Sequence, residues 1–362
     1  MFPVIDLAGT PHERGVAHGR AVTDRVAHNL AVYRARFTHE AQLAPAAVAE
    51  RAEHWWRLLQ ADAPRYAAAL AGIAEGAGQP LLDVVALNVR YELLYSRFAE
   101  LAMVDGCSAF AVRTGGPGGT TLMGQNWDWI PEVQGAVMRE AFADGTRVLY
   151  FTEAGIAGGK IGLNAHGVGL AVNGMTTVGD AWGRAALPFH VRCQNVLRQR
   201  TLADAEAAIT DGARACAANF VVAQADAADG EGGAHSLEAA PEVVGRVAPT
   251  DGVLVHTNHF LDPEGLGVAE PPSPYRPGSI HRLQRLDALL RAHAPVDVDA
   301  LQTILRDHDG RPNSVCRHVD PSRDAAYETV TSAILDLDRR ELWLTDGPPC
   351  QAAYQHVALG DD

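Results

Sequence analysis

The sequence predicts an α+β protein in four layers: two antiparallel sheets packed face to face, helices outside them, and a helical N-terminal segment. Three observations predict it. Helical spacing runs through almost all of the first hundred residues, and strand-like runs begin abruptly at Cys107. From there strands come first, then helices, then strands again, without the alternation that a doubly wound parallel sheet requires.

The helical part is justified piece by piece. From Pro45 to Gln60 an Ala-rich stretch sets Val48, Trp55, Trp56 and Leu59 at near-helical spacing, with Pro45 suited to a first turn. A second helix starts near Pro64 and ends by Gly76-Ala77-Gly78. A third runs from about Pro80 to Met103, with Leu82, Val85, Val89, Leu93 and Phe98 as its apolar stripe.

The character changes at Asp105-Gly106-Cys107. Residues 107–113 look extended, 115–119 form a Gly-rich turn, and 120–130 read as the returning strand. A second hairpin spans 138–142 and 147–152, turning at Ala143-Asp144-Gly145. A third pairs 160–164 with 168–175, turning at His166-Gly167. Thr201-Leu202-Ala203-Asp204 has the form of a capping box and opens a helix to about Thr210. Strands follow at 219–225, 234–239 and 253–260. A Pro- and Gly-rich loop covers 262–279, then come helices near 280–293 and 298–306. A last hairpin joins 331–337 to 341–345. No internal repeat is visible.

Composition narrows the function. The chain has 362 residues and a formal net charge of −14, which opposes binding to nucleic acid or an anionic membrane. There is no run of apolar residues long enough to span a bilayer and no secretory signal pattern, so a cytoplasmic location is expected. The five cysteines (107, 193, 216, 316 and 350) are odd in number and lack a Cys-x-x-Cys pair, so neither a disulfide framework nor a zinc ribbon fits. Lys160 is the single lysine, a feature that reads as coding bias.

Common catalytic motifs are missing: no Gly-x-Ser-x-Gly elbow, no phosphate loop, no dinucleotide glycine fingerprint. On a strand His256 and His259 point to opposite faces and cannot share an ion. Asp307-His308-Asp309 lies where capping is commoner than ligation. No metal and no cofactor are expected. Cys193, Cys216, Cys316 and Cys350 read as core filler or idle thiols.

The Cys107 region carries the chemistry. Gly106-Cys107-Ser108 is followed by Gly124-Gln125-Asn126-Trp127-Asp128-Trp129, then by Gly162-Leu163-Asn164, Gly167 and Gly169 before Asn173, and far downstream by Thr257-Asn258-His259. Together these resemble the isopenicillin-N acyltransferase family of N-terminal-nucleophile hydrolases, cousins of the choloylglycine amidases. The resemblance implies the four-layer αββα fold of those enzymes and self-cleavage between Gly106 and Cys107. Residues 1–106 would then be a leader subunit that stays associated, and 107–362 the catalytic subunit. It also implies a small acyl-amide substrate or an acyl-CoA donor. One departure bears on the substrate: Ser108-Ala109 stands where the penicillin enzyme has two threonines.

The chemistry is intelligible from the residues themselves. Glycine leaves the scissile carbonyl without a neighbouring side chain. Cleavage would free an α-amine, whose pKa of about 7.7–8.0 lets it act as general base toward its own thiol. If residues 124–130 are extended, Asn126 and Asp128 share one face while Trp127 and Trp129 pack on the other. Asp128 is then expected beside Cys107 across the hairpin, holding the new amine. By the resemblance Asn258 donates to the oxyanion, and Asn173 is expected to help hold substrate or oxyanion. Thr329 and Ser332 are further candidates for the pocket. Two other readings stay open: an internal Cys107 paired with His259 or His308, and an unprocessed binding protein without activity.

Overall fold

The computed structural model describes residues 1–101, 106–114, 119–225, 232–320 and 327–360, with backbone alone at 99–101. In the N-terminal segment a short strand, β1 (Val4–Leu7), precedes helices α1 (Pro11–Ala21), α2 (Thr23–His39), α3 (Pro45–Asp62), α4 (Pro64–Ala77), α5 (Leu81–Asn88) and α6 (Arg90–Leu101). Strands β2 (Cys107–Arg113), β3 (Thr121–Trp129), β4 (Gly135–Ala141), β5 (Arg147–Glu153), β6 (Ile161–Asn164) and β7 (Val168–Gly174) follow. Then come α7 (Phe189–Leu197), α8 (Leu202–Thr210), β8 (Ala218–Gln224), β9 (Gly233–Ala239), β10 (Val244–Val247) and β11 (Val253–His256). The chain closes with α9 (Arg276–Ala292), α10 (Val298–Ile304), β12 (Glu328–Asp336), β13 (Glu341–Leu344) and β14 (Gln355–Ala358).

The strands form two sheets, one ordered β1-β4-β5-β6-β7-β8-β9-β10 and the other β11-β2-β3-β12-β13-β14. They pack face to face, β2 and β3 against β7 and β8, with α7 and α8 over the first sheet and α9 and α10 over the second. This is the αββα order expected. Alternation along each strand splits the second sheet into two cores. Met123, Trp127 and Trp129 join the main core between the sheets, while Phe110, Val112, Leu122 and Ile334 pack beneath Leu286, Leu290, Leu301 and Ile304 of α9 and α10. The expected division of faces in β3 therefore holds.

Several elements differ from expectation. β1 is a strand in a segment read as helical, and it pairs in parallel with β4, Val4 opposite Val137. The helix expected over 80–103 breaks at Val89, whose ψ of 20° leaves helical geometry and divides α5 from α6. α9 begins at Arg276, inside the expected loop, with a proline in its first turn. β11 stops at His256, and Thr257-Asn258-His259 leaves the sheet. Thr201 accepts a bond from the Asp204 N–H as an N-cap should, and its hydroxyl donates to the Asp204 carboxylate. Most of the Gly-rich turn at 115–119 and the end of the helix expected to reach Met103 lie outside the described residues.

The N-terminal segment is bound to the sheets by buried directional contacts as well as apolar ones. Arg14 Nε donates to Glu140 (2.6 Å), Asn29 Nδ2 to the carbonyls of Gln134 and Ala154, and Tyr91 Oη to the Ala217 carbonyl (2.6 Å). Within the segment α1 lies directly on α4. A Cβ on Gly15 would come within 2.1 Å of the Ala69 carbonyl oxygen, and one on Gly72 within 2.1 Å of that of His12. Glycine is needed there because backbone meets backbone.

Candidate active site

Cys107 opens β2, buried at the mouth of the two sheets. The register sets it opposite Trp127, with Ser108 opposite Asn126. The thiol thus shares the inner face with Trp127, while the side chains of Ser108, Asn126 and Asp128 belong to the outer face. Asp128 does lie across the hairpin from Cys107, next to its partner Trp127. Its backbone carbonyl lies 3.9 Å from the Cys107 sulfur, but its carboxylate Oδ1 receives a hydrogen bond from Thr329 Oγ1 at 2.7 Å. Asn126 is structural: Nδ2 donates to the carbonyls of Leu305 (2.9 Å) and Val315 (2.8 Å).

Asn258 is brought to Cys107 because β11 ends two residues before it, at His256, which pairs with Ala109. Its backbone N–H then bonds Ser279 Oγ on α9 at 2.8 Å. The side chain spans the gap between sheets. Oδ1 accepts from the Cys107 nitrogen (2.7 Å) and Nδ2 donates to the Gly174 carbonyl (3.0 Å), leaving that amide a second N–H. Asn173 lies on the β7 face turned to the six-stranded sheet, like Gly169, where a Cβ would strike Met123. Its Oδ1 accepts from Asn219 Nδ2 (3.0 Å), and its own Nδ2 has no described protein partner.

Three residues that the sequence reading left out complete the site. Arg282, buried on α9, donates through Nη1 to the Cys107 carbonyl (2.7 Å) and Ser108 Oγ (3.1 Å), and through Nη2 to Asn258 Oδ1 (2.9 Å). It falls in line with Leu286 and Leu290 at four-residue steps, so a charge on the apolar stripe was the available signal. Arg317 crowds Gly106: a Cβ there would meet Arg317 Nη1 at 2.2 Å and Arg282 Nη2 at 3.3 Å. Its backbone is pinned to Thr329, whose Oγ1 accepts from the Arg317 N–H. Ser332 instead bonds Tyr354.

Lys160 is the third. It lies over the Trp127 ring, 3.2 Å from its centroid, and donates to Glu153 Oε1 at 2.5 Å. Arg90 and the Tyr33 hydroxyl hold the same carboxylate. One carboxylate thus serves two cations. Burial lowers the Lys160 pKa to about 7, while the cations hold Glu153 well below the usual carboxylate range. With Cys107, Trp127, Tyr91, Tyr95 and Phe189, Lys160 lines a cavity of about 20 Å³, room for roughly one water. Tyr91 stacks on both Tyr95 and Phe189, with ring centroids 3.8 and 4.1 Å apart.

The histidines do other work. His256 Nε2 bonds Glu238 (2.8 Å), and His259 Nδ1 bonds Ser279 Oγ (2.8 Å). The two do not converge, although the strand that was expected to separate them stops at His256. His308 faces His318 at 3.1 Å. Cys193 and Cys216 are buried in the main core, whereas Cys316 and Cys350 both approach His318. No described helix is long and apolar enough to cross a membrane.

The chain is 29% identical over 317 residues to the acyl-coenzyme A:6-aminopenicillanic-acid-acyltransferase 40 kDa form of Emericella nidulans, covering 86% of this chain and 84% of that protein. Among solved structures it is similar to a variant of conjugated bile acid hydrolase from Clostridium perfringens (TM-score 0.49, 13% identity, 70% of this chain and 92% of that one). It is also similar to the N-acylethanolamine-hydrolyzing acid amidase ortholog of Caenorhabditis elegans (TM-score 0.44, 16% identity, 64% and 93%). The family model for acyl-coenzyme A:6-aminopenicillanic acid acyl-transferase matches residues 114–350, a span that begins after Cys107 and includes Asp128, Asn173, Asn258 and Arg282. The chain belongs to that acyl-transferase family.

Proposed function

We propose that this protein cleaves itself between Gly106 and Cys107, and that the freed Cys107 carries acyl groups as a thioester. The observation that carries this reading is the clasp on Cys107, whose nitrogen is held by Asn258 Oδ1 and whose carbonyl is held by Arg282. Cys107 opens β2, and its buried nitrogen finds its acceptor in a side chain, an arrangement that suits a residue whose amine is to act as base.

In the first step the thiol sulfur attacks the Gly106 carbonyl, the peptide C–N bond breaks, and its nitrogen takes a proton. Water then hydrolyses the thioester, leaving the Gly106 carboxylate and the Cys107 amine. The crowding of Gly106 by Arg317 and Arg282 supports this, since cations beside the carbonyl favour its oxyanion. In turnover the amine takes the thiol proton as sulfur bonds to the acyl carbon. The leaving amine, or the leaving thiol of an acyl-CoA, departs with that proton. Water or an acceptor amine then takes the acyl group from sulfur. Asn258 Nδ2 and Asn173 Nδ2 are the donors for the oxyanion.

The rings around Cys107 suit an apolar acyl group, and they must part to seat one. An acyl-CoA donor and a 6-aminopenicillanic acid acceptor are supported by the relative's name, and hydrolysis of small N-acyl amides is the default with water as acceptor. His259 and His308 are bonded to Ser279 and His318, which disfavours a conventional Cys-His pair. The test is mass spectrometry after brief exposure to a panel of N-acyl amides, β-lactams and acyl-CoA thioesters. An acyl adduct on the peptide beginning at Cys107, absent in Cys107→Ala, is expected. Turnover retained by Cys107→Ala rules the reading out.

A further inference from the structure

A second cluster of reactive side chains lies outside this site. His308 and Cys316 stand in the loop after α10, His318 two residues on, and Cys350 in the turn between β13 and β14. One ligand atom from each lies within 4.8 Å of all the others. His318 Nε2 is the meeting point, 3.1 Å from His308 Nε2, 3.6 Å from Cys316 Sγ and 3.4 Å from Cys350 Sγ. One imidazole nitrogen has either one lone pair or one N–H, so hydrogen bonding cannot satisfy three partners around it.

We propose that His308, Cys316, His318 and Cys350 form a four-coordinate structural site for a zinc ion. Zinc bonds sulfur at about 2.3 Å and imidazole nitrogen at about 2.0–2.1 Å, so a tetrahedron has N–N edges of about 3.3 Å and N–S edges of about 3.6 Å. The three distances at His318 match those edges within a few tenths of an ångström. Two thiolates and two neutral imidazoles make the site electrically neutral with Zn²⁺, and binding releases the two thiol protons to solvent. Four protein ligands leave no open position, which fits a staple rather than a catalytic centre.

The staple has something to hold. Its loop carries Arg317, which crowds Gly106, and Val315, whose carbonyl receives Asn126 of the catalytic hairpin. Zinc would tie this loop to the C-terminal turn that carries Cys350. Residue spacing hides the site, because Cys350 joins from 32 positions beyond His318.

The test uses full-length protein purified with reductant, stripped with chelator and titrated with Zn²⁺ against a chromophoric competitor, then separately with Co²⁺. About one tightly held Zn²⁺ per chain is expected, and Co²⁺ should give the visible bands of a tetrahedral site with thiolate charge transfer. Cys350→Ser alters an exposed residue and should leave the fold intact. It should weaken Zn²⁺ binding by more than about 10–100-fold, the cost of losing even an outer-shell partner. Stoichiometric binding unchanged in Cys350→Ser, no tight binding in the wild type, or a Cys316–Cys350 disulfide in the protein before stripping would each overturn the proposal.

Discussion

At the residue scale, Asn258 and Lys160 make the sharpest predictions. Asn258 gives Cys107 nitrogen its acceptor and keeps an amide N–H for an oxyanion. Asn258→Ala is expected to lower kcat by roughly 10²–10³-fold, the usual cost of one oxyanion donor, with the circular dichroism spectrum unchanged. A drop below tenfold would remove Asn258 from that role. Lys160 loses its proton as pH rises through about 7, because burial depresses its pKa. Its charge beside the thiol is therefore present below that pH and lost above it. The α-amine that cleavage would free, with a reference pKa of about 7.7–8.0, would become a base only as pH rises. The opposing titrations give a narrow bell in the kcat/KM profile. In Lys160→Met overall activity should fall and the descending limb should vanish; an unchanged limb would assign that titration elsewhere. Much of this site was legible, because Gly106-Cys107 and Gln125-Asn126-Trp127-Asp128 lie on adjacent strands of one hairpin. Arg282 and Lys160 were not. Arg282 reaches Cys107 across 175 positions, and a solitary lysine looks like composition until Trp127 is seen beneath it.

At the element scale, the long strands and their hairpins could be read from alternation and turn residues. Equally short pieces were read only where a turn or a longer run framed them, as for β6, β11 and β13. β1, β10 and β14 are four residues each, too brief for a period to declare itself unaided, and all three lie at sheet edges. Asn258 shows the cost of a boundary error. Extending β11 to Phe260 would have left its side chain on a sheet face, whereas ending it at His256 turns Asn258 toward Cys107. The glycine contact of α1 with α4 is likewise invisible without the fold, and it makes a stability prediction. Gly72→Val puts carbon where the His12 carbonyl already sits, and should cost at least about 1–3 kcal/mol. Gly183→Ala, with no atom within 4 Å of the added carbon, is the control. Equal urea midpoints for the two variants would show that α1 and α4 do not pack this closely.

At the scale of the whole molecule, segment and sheets form one body through the parallel β1–β4 pairing and the buried Arg14–Glu140 and Arg90–Glu153 pairs. Cutting the chain before Cys107 would leave these contacts in place, so the two pieces should elute together on gel filtration. The four-layer arrangement followed from the order of strands and helices, but not the partition into two sheets, which depends on pairings between strands far apart in sequence. Intact mass under denaturing conditions, joined to N-terminal sequencing, reports on the break itself. After incubation at neutral pH the expected result is two components, one ending at Gly106 and the other beginning at Cys107, with only the full chain in Cys107→Ala. A wild-type protein that turns over substrate while remaining a single uncut chain would contradict it.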